Sequence, residues 1–339
     1  MMSTSARLLI AIAACVASPA NSAAPVPHYS VARQIAGPDG GWDYASFDPT
    51  GHRLYIAHNT AVTEVKVADG NTVRSFGMIA KAHAVVPIPG QSMLLVTSGH
   101  DDSVRMLNAR DGHEVANIPV GTDPDAAFFD VRSGRAVVMN AKAGTVSVVD
   151  VTSRKVVRTI TLKPALEFGV AGKDGTLFVN NEELGEIETA DLSSGQAGPA
   201  IPMPGCEGPT GLGYDAQTDR LISACANGKA AIVDAHARRF VALLDIGLGP
   251  DAVIMDAKRR FAYIPCGKDG LVEIVSLDAP DGAAIVGTIK TEMGARTGAL
   301  DPADGTLYLP TARFAAPANP GAKPAMIPGS FHIVVLKAH

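Results

Sequence analysis

Residues 249–256 read GPDAVIMD, and residues 123–130 read DPDAAFFD. Each stretch places a Pro-Asp-Ala step before a short apolar run that ends on another Asp. The acids that open the two runs, Asp125 and Asp251, lie 126 residues apart, which is three times 42. This spacing indicates an internal repeat of about 42 residues, a length typical of stacked β units.

The Asp that ends the run recurs along the chain and marks the repeat. It stands at Asp48, Asp130, Asp215, Asp256 and Asp301, at intervals of 82, 85, 41 and 45 residues. Each unit continues with a second run such as RLYIAH or TLFVNN, a strictly alternating third run such as TVSVVDV, and a fourth run such as KVVRTITL. Short runs rich in Val and Ile between Gly, Asp and Asn predict four antiparallel strands per unit.

A four-stranded unit of this size cannot bury both of its faces alone, so the units are expected to stack. Seven units begin near residues 42, 82, 124, 166, 209, 250 and 295. The seventh supplies only three strands, and HYSVARQIAG at residues 28–37 matches the fourth-strand pattern. The sequence therefore predicts an all-β, seven-bladed β-propeller over residues 28–339, closed by pairing of residues 29–36 with residues 331–337.

Several longer stretches resemble a known family. GTDPDAAFFD, GCEGPTGLGYD and GARTGALDPADGTLYLPTARF are similar to segments of the YVTN-repeat, or YncE-like, family of secreted bacterial propellers, and the resemblance runs from about residue 28 to the C-terminus. It implies the propeller fold and export, without a particular ligand. The WD-repeat type is disfavoured, because Trp42 is the single Trp and no Gly-His…Trp-Asp signature occurs.

The N-terminus has the layout of a secretory signal. Arg7 precedes a ten-residue apolar run at residues 8–17, and small residues follow near Ser22. The run is too short to span a bilayer, so we predict a signal peptide over residues 1–23 and a periplasmic or secreted protein without a transmembrane segment. The alternative is a lipoprotein, in which Cys15 would be lipidated after processing.

Composition limits the range of partners. The chain has 339 residues, of which 47% are hydrophobic and 19% charged. Without Arg7 it carries 28 basic and 34 acidic side chains and no basic patch, which argues against nucleic acid as a partner. We expect a monomer that binds a small molecule, a metal ion or a periplasmic protein.

One position in every unit is the candidate site. The first strand of each propeller blade lines the central channel, and the residue five positions before each closing Asp opens that strand. In the two units without a closing Asp, alignment gives His83 and Glu167. We call these seven residues the collar: Asp43, His83, Asp125, Glu167, Thr210, Asp251 and Arg296. With His neutral, the collar carries four negative charges and one positive charge.

Two interpretations of the collar stay open. It is either the wet mouth of a channel or a ligand site. Oxygen-rich rings with a lone His suit a divalent ion (Ca, Mg or Zn) or a cationic or polyol ligand, with Asp125, Glu167 and Asp251 as the candidate metal ligands. Arg296 could hold a carboxylate or a phosphate through two parallel hydrogen bonds.

Two further features belong to the same face. His58, Asn140 and Asn181 end second strands and could form a second polar tier, or they could serve turn chemistry, which favours Asn. The seventh unit also inserts the Ala- and Pro-rich residues 312–330, with Arg313 and Lys323 as the only charges. This insertion is expected to be a semi-stiff loop that either covers the channel or is a passive surface feature.

The mature chain has three cysteines. Cys206 and Cys225 map to the collar face of one blade, so a bridge between them is predicted. Cys266 holds the position equivalent to Cys225 in the next blade, where the separation should exceed the disulfide limit of about 7 Å. It is expected to be a free thiol.

No catalytic or cofactor motif appears: Cys-x-x-Cys-His, His-Glu-x-x-His and Gly-x-Ser-x-Gly are all missing. The sequence therefore favours a non-enzymatic periplasmic binding or scaffold protein. One alternative is a metal-assisted hydrolase similar to lactonases, with collar carboxylates holding the ion and a neighbouring acid or His83 as the base. Another is an accessory subunit of a periplasmic redox system.

Overall fold

A computed structural model describes residues 25–67, 71–279, 282–316, 319 and 324–339. The strands form seven four-stranded antiparallel sheets, and the innermost strands of consecutive sheets contact one another around a closed ring. The predicted seven-bladed propeller is confirmed. The predicted signal segment and Cys15 lie outside the described residues. No helix in the described ranges is long and apolar enough to cross a membrane.

The first four blades follow the chain without interruption, each from its channel strand outward. Their strands are β2 (Ala45–Asp48), β3 (Arg53–His58), β4 (Ala61–Lys66) and β5 (Thr72–Phe76); β6 (Ala82–Pro87), β7 (Met93–Ser98), β8 (Ser103–Asn108) and β9 (Glu114–Pro119); β10 (Pro124–Asp130), β11 (Arg135–Asn140), β12 (Thr145–Asp150) and β13 (Lys155–Thr161); and β14 (Leu166–Ala171), β15 (Thr176–Asn181), β16 (Glu186–Asp191) and β17 (Ile201–Pro202).

Blades five and six repeat the pattern, and blade seven borrows its outer strand from the N-terminus. The strands are β18 (Pro209–Asp215), β19 (Arg220–Cys225), β20 (Lys229–Asp234) and β21 (Arg239–Asp245); β22 (Ile254–Asp256), β23 (Phe261–Cys266), β24 (Leu271–Ser276) and β25 (Ala284–Lys290); and β26 (Ala299–Leu300), β27 (Leu307–Thr311), β28 (His332–Ala338) and β1 (Tyr29–Ala36).

The ring is closed by the pairing of β1 with β28. The two strands run antiparallel from Tyr29 opposite Ala338 to Ala36 opposite His332. The Tyr29 ring is buried, and its hydroxyl donates to the Gly305 carbonyl at 2.9 Å and lies 2.9 Å from the Tyr263 hydroxyl of blade six. The closing strand therefore joins two blades by side-chain contacts in addition to its backbone ladder.

Aromatic side chains on the second strands fill the spaces between blades. Tyr55, Phe178, Tyr263 and Tyr308 are at most 2% exposed. They occupy equivalent places in the runs RLY, TLF, FAY and TLY. Removing rings of this size from water between two sheets supplies the apolar area that a single blade lacks. The aromatic residues of these runs therefore stabilise the packing of one blade against the next.

In the five blades that have it, the closing Asp caps the turn that follows the channel strand. Its carboxylate accepts backbone amides two or three residues ahead, as with Asp48 and Thr50 at 3.0 Å and Asp130 and Arg132 at 3.2 Å. Such Asx turns fix the first hairpin of the blade, which explains why the marker recurs in the sequence.

In blade five the same marker also joins the next blade. The Arg260 guanidinium donates to both oxygens of Asp215, at 2.6 and 2.8 Å, and to Asp278 at 2.8 Å. Asp215 is buried, and burial alone would raise its pKa. The hydrogen bonds from Arg260 and Thr218 outweigh burial and hold the pKa below its ordinary value.

The cysteines are arranged as the sequence predicts. Cys206 and Cys225 form a disulfide with Cα atoms 5.4 Å apart. Cys266 is a free, fully buried thiol, and burial together with nearby Glu273 raises its pKa to about 12. It is therefore neutral and unreactive at physiological pH.

The described flanks of the 312–330 insertion form a short two-stranded arm. Ala315 and Ile327 donate to the Ala325 and Arg313 carbonyls, each at 2.8 Å. The Phe314 ring packs against Trp42, with 6.2 Å between centroids. This arm begins beside the collar face. Lys323 lies outside the described residues.

Removing the closing strand should open the ring. We expect a chain beginning at Gly37 to melt about 10 °C or more below a matched chain beginning at His28, because it loses a full strand ladder and the burial of Tyr29 and Ile35. Differential scanning calorimetry of both chains tests this. Equal melting temperatures would show that β1 does not hold the ring.

Asp215→Asn should cost about 3 kcal/mol of unfolding free energy, since it leaves the Arg260 charge partly uncompensated between blades. Because the folded pKa of Asp215 is lowered, its contribution is present above pH 4 or so and is lost as pH falls through the folded value. Urea unfolding measures the change. The control is Asp245→Asn, which breaks a pair whose carboxylate is 88% exposed and should change little. Equal losses of unfolding free energy in both variants would contradict a stabilising role of the Asp215–Arg260 pair.

Candidate functional site

The collar residues occupy equivalent backbone positions at the entrance of the channel. His83, Asp125, Glu167 and Thr210 are each the second residue of a channel strand. In these four blades the pairing register shifts by one residue at this point, as between Pro124 and Ala127 opposite β11. A β-bulge of this kind redirects a side chain away from the normal alternation. Asp43, Asp251 and Arg296 stand just before the channel strands of their blades.

Side chains of neighbouring blades hold the collar backbone in place. Thr97 donates to the Asp125 carbonyl at 2.8 Å, and Asn180 donates to the Thr210 carbonyl at 2.9 Å. Thr297 of the last blade donates to the carbonyl of Asp43 in the first at 2.8 Å. Side-chain hydrogen bonds therefore fix the collar backbone at these three junctions between blades.

Three consecutive blades bring their collar side chains into direct contact. His83 Nδ1 lies 2.8 Å from Asp43 Oδ2 and 3.5 Å from Asp125 Oδ1. In the part of the chain that the structure describes, these three residues form a group whose potential ligand atoms all lie within 4.8 Å of one another. Two carboxylates and an imidazole at this separation could share a proton or a metal ion.

The other imidazole nitrogen is buried next to Gly99. His83 is only 8% exposed, and its Nε2 has no hydrogen-bond partner among the described residues. Asp123 Oδ1 likewise makes no hydrogen bond to a described residue, and Lys81 Nζ lies 4.0 Å from it. Both atoms lie 2.9 Å from the point where a Cβ on Gly99 would stand. The absence of a side chain at Gly99 therefore lets the imidazole and this third carboxylate approach the same point.

Burial and crowding alter the protonation of the group. Burial and the neighbouring Asp43 raise the pKa of Asp125 to about 7. Burial would lower the pKa of His83, but its hydrogen bond to Asp43 and the charge of Asp125 raise it above its ordinary value. At neutral pH the imidazole thus tends toward its charged form, and the net charge of the collar is smaller than the sequence count suggests.

The opposite side of the collar contains a charge pair and a protonated acid. Arg296 donates to Asp251 Oδ2 at 2.7 Å and to the Trp42 carbonyl at 2.9 Å, and its guanidinium lies 5.7 Å from the Trp42 ring centroid. Burial and Asp43 raise the pKa of Asp251 to about 6, although Arg296 opposes the shift. Burial and the charges of Asp125 and Asp251 raise the pKa of Glu167 to about 10.

The structure groups the predicted metal ligands differently from the sequence analysis. Asp125 belongs to the three-residue group, whereas Glu167 and Asp251 do not join it. Thr210 donates to the Pro250 carbonyl at 3.1 Å and so supports the backbone of the next blade. The collar therefore divides into a candidate ligand group, an ion pair and a neutral acid.

The predicted second tier is engaged within its own blades. His58 Nδ1 lies 3.1 Å from Thr63 Oγ1, and Asn140 donates to Thr145 and Ser147 at 3.0 Å. Asn181 donates to the Pro164 carbonyl at 2.8 Å and accepts from the Leu184 amide at 3.1 Å. All three residues are buried. These contacts match the turn-chemistry interpretation, whereas His58 Nε2 and Asn140 Oδ1 are buried and make no hydrogen bond to a described residue. The second polar tier stays a prediction.

Sequence reasoning overlooked four residues of the site: Thr97, Gly99, Asp123 and Tyr44. The Tyr44 ring lies 5.2 Å from that of Phe168. Burial, together with the charges of the collar acids, raises the pKa of its phenol well above the ordinary value. The sequence does contain a signal for Tyr44. The position after the collar residue is small in five units and aromatic in two: Tyr44, Ala84, Ala126, Phe168, Gly211, Ala252 and Thr297.

Comparisons with known proteins support the fold. No protein-family model matches the chain, and no curated protein sequence matches it. Among solved structures, a chain of Kuenenia stuttgartiensis hydrazine synthase is similar with a TM-score of 0.70 at 17% identity, over 81% of this chain and 92% of that one. A chain of a mitotic checkpoint complex has a TM-score of 0.72 at 12% identity, over 96% and 98%. At these identities the likeness establishes the seven-bladed propeller alone.

Glu167 provides a test of the collar electrostatics. Because its folded pKa is raised, the folded state keeps a proton that the unfolded chain releases near pH 4.5, and stability falls as pH rises from there toward 10. Glu167→Gln removes this dependence. We therefore expect the melting temperature of the variant to exceed that of the wild type by a margin that grows between pH 5 and pH 9. A constant margin would refute the assignment.

Proposed function

We propose that this propeller is an exported binding protein that holds a divalent transition-metal ion at its channel entrance. The observation that carries the proposal is the convergence of Asp43, His83 and Asp125 from three adjacent blades. A cluster of acidic residues alone would give weak support for a metal site. This group also includes the His83 imidazole, whose second nitrogen is buried without a hydrogen-bond partner among the described residues.

The surroundings of His83 suit a metal ligand. An imidazole that binds an ion through one nitrogen usually donates a proton from the other to a carboxylate or water. With Nδ1 toward the ion, Nε2 would lie beside Gly99 near Asp123 Oδ1, since both atoms are 2.9 Å from the position of a Cβ on Gly99. Asp123 Oδ2 in turn lies 3.0 Å from Lys142 Nζ, which offsets its charge. An outer carboxylate is thus available to orient the ring.

The ligand types favour one class of ion. Imidazole nitrogen suits Zn²⁺ and similar ions, whereas Ca²⁺ and Mg²⁺ prefer oxygen donors throughout. Two aspartates and one histidine supply three protein ligands, so a fourth coordination position would point into the channel. That position would receive water or an oxygen atom of the bound molecule. Zn²⁺ is therefore our first choice among the ions considered for this site.

An open coordination position also supports a second candidate, a metal-assisted hydrolase. The ion would polarise a carbonyl, and the chain would supply proton transfer from outside the three ligands. His83 cannot act as base while it binds an ion. Asp251, with a pKa of about 6, is ionised at pH 7, and Glu167, with a pKa of about 10, is a proton donor.

Cellular location forms part of the proposal. The signal-like segment at residues 1–23 and the resemblance of GTDPDAAFFD and related stretches to YncE-like proteins both support export to the periplasm. A disulfide between Cys206 and Cys225 suits an oxidising compartment.

Metal analysis tests the proposal directly. Protein purified without chelators should contain close to one Zn²⁺ or comparable ion per chain by plasma mass spectrometry, and Asp43→Asn, Asp125→Asn and His83→Gln should each lose it. Glu167→Gln is the matched control. Its carboxyl is neutral at pH 7, so the amide should leave the metal content unchanged.

Two outcomes would overturn parts of the proposal. Loss of metal in Glu167→Gln would return the site to the ligand set predicted from the sequence. Absence of metal in the wild type, together with no heat of Zn²⁺ binding by calorimetry after EDTA treatment, would mean that the His83 imidazolium itself balances the acids. If the metal-loaded protein hydrolyses members of a lactone panel and the metal-free protein does not, the hydrolase would be favoured.

A further inference from the structure

The channel changes character just beyond the collar. Tyr44 of blade one and Phe168 of blade four meet at 5.2 Å between ring centroids, while the equivalent residues of the other blades are small. Tyr44 and Phe168 directly follow the collar acids Asp43 and Glu167 in the chain, and the next residues of the same channel strand, such as Phe47, line the space beyond. The two rings thus separate the polar entrance from the remainder of the channel.

Beyond the rings lies a cavity of about 520 Å³, formed by the channel strands of six blades. A second cavity of about 520 Å³ shares five of its residues and extends the wall to blade five. We call this space the funnel. Its larger wall side chains are Phe47, Phe128, Phe129, Phe168, Met255 and Leu300.

The inner part of the funnel, which is the first cavity, has uncharged walls. Among the described residues that line it there is no Asp, Glu, Lys, Arg or His. Its polar side chains are the Tyr44 phenol and Ser46, and the Ser46 hydroxyl is already donated to the Val85 carbonyl at 2.6 Å. Charged side chains appear only toward the wider opening, at Asp130, Arg132 and Lys173. A ligand charge inside the funnel would therefore remain uncompensated.

The apolar side chains of the funnel are only partly buried. Phe47, Phe128, Phe129, Phe168 and Met255 all keep intermediate exposure although they lie on the innermost strands. Aromatic rings and a thioether around a concave space of this volume are typical of small-molecule sites, which span roughly 300–1,000 Å³. Transferring apolar ligand surface into such a space is favourable, because both surfaces leave water.

We propose that the funnel is a second binding site, separate from the collar, for a compact uncharged aromatic molecule. Its Phe-lined wall favours a ligand with an apolar aromatic surface, and the uncharged inner wall selects against ions. The Tyr44–Phe168 contact keeps such a ligand away from the collar acids. The two ends of one channel would thus bind ligands of opposite polarity.

N-phenyl-1-naphthylamine is a suitable probe, because it is uncharged at neutral pH and its fluorescence rises in apolar surroundings. We expect saturable binding of one molecule per chain. Met255→Lys places a charge in the funnel and should weaken dye binding at least tenfold. Met78→Lys is the matched control, since Met78 is 89% exposed and outside the funnel, and it should bind as the wild type does.

A second variant guards against misfolding. Val253→Gln places an uncharged polar group on the same wall and should also weaken binding, with an unchanged melting temperature as the folding check. Lack of saturable binding to the wild type would overturn the proposal. So would unchanged binding to both funnel variants, equal weakening in Met78→Lys, or an equally large loss in Asp125→Asn, which would place the dye in the collar.

Discussion

Pairing of β1 with β28 is the interaction on which the remaining structure depends. A four-stranded blade can bury a face only by packing against a neighbouring blade. Seven blades are therefore stable together when the last blade also packs against the first. The chain achieves this by placing its N-terminal strand on the outer edge of blade seven. The same closure brings Arg296 within 2.9 Å of the Trp42 carbonyl and Thr297 within 2.8 Å of that of Asp43. The collar is therefore a product of ring closure and not of any single blade.

Much of the fold could be predicted from the sequence because the repeat carries it. The closing Asp, the alternation of the third strands and the aromatic position in RLY or TLF are local signals with local causes, and the strand ends at His58, Asn140 and Asn181 fall where the runs end. The disulfide followed from the same register. Each of these features is determined by residues that are close in sequence or belong to one blade. Because the unit is repeated, the sequence shows each signal several times.

The site was predicted only in part. The repeat register identified which seven residues surround the entrance, but charge alone suggested Asp125, Glu167 and Asp251 as a set. Contact between collar side chains depends on adjacency of blades, bulge geometry and the direction of each side chain, which residue types do not encode. Asp123 and Gly99 were missed for a related reason. Their importance comes from a space between two blades, where a glycine matters because of what it leaves out.

The collar places different side chains at equivalent positions of the repeat. Four of these positions share the same β-bulge, so a collar residue of one of these blades could stand in another of them without disturbing the strands behind it. A duplicated ancestral unit would have offered the same position seven times, and single substitutions could then explore chemistry at constant fold. The departure of the collar from seven-fold symmetry would thus record functional divergence, while the buried runs behind it preserve the common origin.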